Sequence, residues 1–188
     1  MTPLDEMCQL IAQVGTAKAI EFSDVLQSIL EEVPIELCIV SRADVRRKLV
    51  TGFACMNWVL ATGVWSNLKN AKLRQDLMIE SKTKMVLVTA QLLNRDGAPE
   101  DVAAAAVKLE FDEFQPFMRE CINRFGELER QGKTPDADSV LLIALGWILN
   151  NLGLSRKSID KVMFTFLIRV GDFASIEEIA QQVNRAAS

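Results

Sequence analysis

The stretch Ser139–Val170, SVLLIALGWILNNLGLSRKSIDKVMFTFLIRV, is the densest apolar run of the chain, and its reading decides the fold. Val140 to Leu149 carries no charge and shows no strict alternation of apolar with polar residues, so as a helix it has no side to offer water. Such a helix is either a core helix or a membrane span. Asn150 and Asn151 end it well short of the roughly 18 to 20 residues a bilayer requires. It is therefore read as a buried central helix. Gly153 then supplies a stop, Ser155 an N-cap, and Ile159, Val162, Met163, Phe166 and Ile168 begin a second apolar face.

Two consecutive apolar helices need partners, and 188 residues can supply them within one domain, residues 1–188. Lys and Arg number 21 against 25 Asp and Glu, for a net charge of -4. That balance opposes non-specific attraction to phosphate backbones, so binding of nucleic acid requires a local patch. The four cysteines, Cys8, Cys38, Cys55 and Cys121, lie far apart among apolar residues, which fits small core side chains in a reducing compartment. MTPLDEM reads as a helix start, with Thr2 as N-cap and Pro3 in the first helical position, and not as a signal peptide. A cytoplasmic location is the expectation, with no membrane partner.

Outward from the central pair, apolar periodicity predicts helices almost throughout. A first helix is expected over Pro3 to Val14 with Gly15 as its stop, and a second opening at Ser23 or Asp24. Val33 to Val40 alternates weakly but has nothing to pair with, and is read as a connector or short helix. From Ser41 a long helix carries the stripe Val45, Leu49, Phe53, Met56 and Leu60 on one face, with Trp58 and Trp65 on another. Gly52 and Gly63 inside it suggest that another backbone passes close. The next helix runs through Leu73, Leu77, Met85, Val88 and Leu92, with Glu80 to Lys84 expected to be wet. Glu100 to Gln131 is helical and should kink or break near Gln115, because Pro116 removes a donor. A last helix follows the S-x-x-E capping box at Ser175 to Glu178. The sum is an all-α, single-domain bundle of about seven to eight helices around Val140–Leu149.

The absence of histidine removes Ser-His and Cys-His nucleophiles and any His-ligated metal or haem. Carboxylate chemistry stays formally open, but Glu31–Glu32, Asp112–Glu113 and Glu177–Glu178 are adjacent pairs that diverge on a helix and read as solvated faces. Gly132-Lys133-Thr134 ends like a P-loop. The first glycine of that loop would have to stand where Glu127 is, and no strand precedes it. No cofactor or metal ligand set is expected, and no enzymatic activity.

Leu149 to Val162, LNNLGLSRKSIDKV, resembles the turn and second helix of the helix-turn-helix DNA-binding motif. Leu152, Gly153, Leu154, Ile159 and Val162 carry the resemblance. It implies Ser155, Arg156, Lys157, Ser158 and Lys161 as groove-facing residues; the basic cluster Arg42, Arg46, Arg47 and Lys48 either supports it or is the exposed first turn of a capped helix. It departs from the motif at Leu149, where a small residue is usual, and in the apolar continuation MFTFLIRV.

The favoured expectation is a non-enzymatic protein-protein interaction module, an oligomerising regulator or assembly factor that partners itself or another protein. Its candidate interface is the stripe of Trp58, Ala61 and Trp65, since tryptophan is enriched at interface centres; the competing reading puts both tryptophans in the monomer core. The alternative function is a helix-turn-helix transcriptional regulator.

Overall fold

The computed structural model describes residues 3–32, 42–65, 70–94, 99–132 and 137–170. These form six helices: α1 (Pro3–Glu32), α2 (Arg42–Trp65), α3 (Ala71–Leu93), α4 (Glu100–Arg130), α5 (Ala137–Asn151) and α6 (Arg156–Val170), with no strand among the described residues. The all-α class holds, and the count differs for a physical reason. Gly15 does not stop the first helix. Cys8, Ile11, Ala12, Ala19, Phe22, Leu26 and Ile29 form one buried stripe that passes straight through it, and a shared stripe outweighs the roughly 1 kcal/mol that a helical glycine costs. Ser23, expected to open a second helix, instead bonds back to the Ala19 carbonyl inside the same one. Pro116 is likewise contained within the single span of α4. The connector at Val33 to Val40 and the helix from Ser175 lie outside the described residues.

The centre of the bundle is α2, not α5. Every residue from Leu49 to Val59 is buried, and α2 packs against α1, α3, α4 and α5. Its Phe53 also stacks on Phe166 of α6 at 5.9 Å, with Phe22 of α1 edge-on to both rings. Small residues at Thr51, Gly52, Ala54 and Cys55 allow neighbours to close in from all sides. What fills the space over Gly52 is the side chains of Ile148 and Phe114, not a backbone. By contrast α5 is buried through Ala144, Leu145, Ile148 and Leu149 while Ile143 is 43% exposed. It is anchored by Trp147 against Phe114 and Phe117 of α4.

Side-chain pairings fix the directions. Asn57 donates to the Gly15 carbonyl (2.8 Å) and Arg46 pairs with Asp24 (2.8 Å), so α1 and α2 are antiparallel. Thr16 meets Thr89 (3.2 Å) while Cys8 meets the Leu77 carbonyl, so α1 and α3 run parallel. Lys82 with Asp112 and Gln91 with Glu100 make α3 and α4 antiparallel. The segment Glu80 to Lys84, expected to be wet, is so only in part: Thr83 is exposed, but Ser81 is fully buried and Lys84 reaches Asp5 and Glu80. Leu92 lies on the other side, 46% exposed. No described helix is long and apolar enough to cross a membrane.

Candidate functional site

Trp58, the first residue of the expected interface stripe, faces inward. It is 2% exposed, its indole N–H donates to Ser81 Oγ (3.0 Å), and its ring meets Phe111 edge-on at 5.5 Å. A buried indole needs such a partner, and the serine of α3 provides it. For Trp58 the structure gives the core position, and the interface role is corrected accordingly. Ala61 and Trp65 stand in the last turns of α2, with side chains outside those described.

The helix-turn-helix stretch is built as a continuous capped corner. Leu154 N–H bonds to the Leu149 carbonyl (3.4 Å) and Gly153 N–H to that of Asn150 (3.0 Å), with Gly153 at φ 79°. This is a Schellman ending, closed by contact-forming apolar residues at Leu149 and Leu154, both buried. Only glycine takes that φ without a side-chain penalty. Ser155 then caps α6, its Oγ accepting from Ser158 N–H (3.3 Å) and meeting Ser158 Oγ at 2.9 Å. Leu152, Leu154 and Val162 point inward. Ser155, Arg156, Lys157 and Lys161 are exposed and Ser158 is half-buried, with Lys157 and Lys161 one turn apart on the same side of α6.

The basic cluster of α2 does not join them. Arg46 is paired with Asp24 and Arg47 Nε with Glu110 (2.8 Å). The side chain of Arg42 lies outside those described. Of the other chemical candidates, Asp112 is held between Lys82 and Lys108, at 2.6 Å each. Glu32 forms a two-bond pair with Arg169, which lowers its carboxyl below the usual range. Cys8 and Cys55 are buried free thiols, as a core role requires; burial, with Glu80 second, pushes Cys8 up to about 11, and burial pushes Cys55 higher still. Cys38 and Cys121 are not described in this respect. Among the described residues no group of His, Cys, Asp and Glu is placed to hold a metal.

A feature the sequence reading missed lies on α6. Phe164 and Ile168, one turn apart, are each 67% exposed, although MFTFLIRV was expected to be core and Ile168 to share the inner face. Val162 and Phe166 take the inner positions; residues two further on point to the opposite side. Lys157, Lys161, Phe164 and Ile168 thus align at spacings of four, three and four along the outer face. The available signal was that VMFTFLI is apolar in both registers at once, which one buried face cannot accommodate. Comparison with protein-family models, with curated proteins and with solved structures gives no match.

Proposed function

We propose that this chain is a helical interaction module, without chemistry of its own, that associates with a second copy of itself through the outer face of α6. The observation that carries the reading is the pair Phe164 and Ile168, large side chains left two-thirds exposed in adjacent turns. A side chain of this size gains about 1.5–3 kcal/mol on full burial, so an exposed adjacent pair marks a contact surface. The stripe is also self-complementary when two copies of α6 cross antiparallel. Lys161 of one copy then lies over Phe164 of the other and Lys157 over Ile168, with lysine stems covering apolar surface and ammonium groups reaching water. A parallel arrangement would set lysine against lysine.

Light scattering or sedimentation at high micromolar concentration tests this. A dimer is expected, converted to monomer by Phe164→Glu with an unchanged melting temperature, since Phe164 supports nothing inside the bundle. A monomeric unmodified protein rejects the reading.

A second reading rests on the capped corner itself, which leaves Ser155, Arg156, Lys157 and Lys161 outward as a groove-entering helix start requires. It makes the chain a DNA binder. The α2 arginines that would extend its phosphate contacts are engaged in ion pairs, which is why the first reading is preferred.

A further inference from the structure

A cleft of about 480 Å³ opens between α3 and α4 and is closed at its inner end by Trp58 of α2. Its volume falls in the range of small-molecule sites, about 300–1,000 Å³. One wall is a single face of α3, where Arg74, Met78 and Lys82 follow at intervals of four; the other is Gln115 and Arg119, one turn apart on α4. No carboxylate is among the described lining side chains.

The placement of Lys82 is the most informative element. Its side chain is 22% exposed, and its ammonium stands 5.7 Å from the Trp58 ring centroid and 5.6 Å from that of Phe111. It donates to Asp112 Oδ1 (2.6 Å) and to Gln115 Oε1. An ammonium has three hydrogens, and two acceptors among the described residues leave one for the cleft. Asp112 is shared with Lys108, so one carboxylate faces two ammonium groups and the local sum stays positive. Arg119, exposed at the mouth, adds a second cation with no carboxylate partner among the described residues.

We propose that this cleft binds a small organic anion, with a carboxylate or phosphate head held between Lys82 and Arg119 and an apolar body against Met78 and Ile79. Two cations, with the Met78 thioether and the exposed Ile79 side chain beside them, match the two halves of such a ligand. An ammonium already held by two acceptors also spares the ordering cost that a surface lysine would incur. A purely inorganic anion would leave the apolar end wet, and a neutral ring would leave the cations unused.

Phenyl phosphate, inorganic phosphate and benzyl alcohol, titrated separately into the full chain, test this through the Trp58 indole N–H resonance. Phenyl phosphate is expected to bind at least about tenfold more tightly than either fragment, because head and body contacts combine. Arg119→Glu should weaken it by about tenfold or more with an unchanged thermal melt, since Arg119 is a surface residue. Phe164→Glu should leave it unaltered, which separates this site from the α6 face. Equal binding of the three probes, no binding at millimolar concentration, or indifference to Arg119→Glu overturns the proposal.

Discussion

A methyl group added at Gly52 would stand 2.9 Å from two atoms of Ile148 and from Phe114 Cζ, all in the packed core. At Gly15 the nearest atom is the free end of Met85, at 2.7 Å, and at Gly146 it is Met163 Sδ at an ordinary 3.6 Å. The three glycines are all helical, so each gains about 1 kcal/mol of helix propensity on becoming alanine, and the difference between them is packing. Overpacking against branched and aromatic side chains costs about 1–3 kcal/mol, whereas a methionine end can swing aside. Urea midpoints should therefore rank the variants. Gly146→Ala is expected to gain up to about 1 kcal/mol, Gly15→Ala to be close to neutral, and Gly52→Ala to lose about 1–2 kcal/mol. A stabilising Gly52→Ala would mean that α2 is not as tightly enclosed as described. The same residue shows what composition could and could not convey: glycine in a helix signalled close approach, but only the fold reveals that side chains from α4 and α5 make it.

Between elements, α3 and α4 are bridged in part by Asp112, whose carboxyl is held below its ordinary 3.8 by Lys108 first and Lys82 second. A carboxylate with a depressed folded-state pKa contributes stability that is complete above the unfolded value and is lost as pH falls through the folded one. The loss thus falls below pH 3.8, and Asp112→Asn should remove that part of the acid limb of a pH-stability curve while lowering the plateau at neutral pH. An acid limb identical in both proteins would show that the pair is not coupled to folding. Helix class, the capped corner at Gly153 and Ser155, and the inner stripe of α2 were legible because each depends on local periodicity or local turn chemistry. Three features were not. The neighbours of Gly15, Met85 and Asn57, stand 70 and 42 residues away and leave no local mark. Ser81 reads as a surface residue until Trp58 is seen to need an acceptor. The run from Leu49 to Leu68 is also uncharged, but its glycines, threonines and asparagines dilute its hydropathy below that of Val140–Leu149. In a centre enclosed by several helices, small side chains matter more than greasy ones.

For the whole molecule, the two functional readings make opposite demands on charge. DNA binding through the corner between α5 and α6 would need Arg156, Lys157 and Lys161 to neutralise phosphates, with affinity falling steeply as salt rises. The rest of the chain works against this, with a net charge of -4 and with Arg46 and Arg47 occupied by Asp24 and Glu110. Self-association through Phe164 and Ile168 is driven by apolar burial, so salt should hardly weaken it, and the lysines serve chiefly as covering stems. The double substitution Arg156→Glu with Lys157→Glu distinguishes the two when a gel-shift assay on DNA is paired with thermal melting. All three cations are exposed and unpaired among the described residues, so the melt should be unchanged, each surface charge contributing less than about 1 kcal/mol. The expected result is no shift with either protein. A salt-sensitive shift given by the unmodified chain and abolished in the double variant, at an unaltered melting temperature, would make the corner a DNA-reading element. The outward lysines would then have to be assigned to phosphates, with Phe164 left to lie beside the groove and not against a second copy of α6.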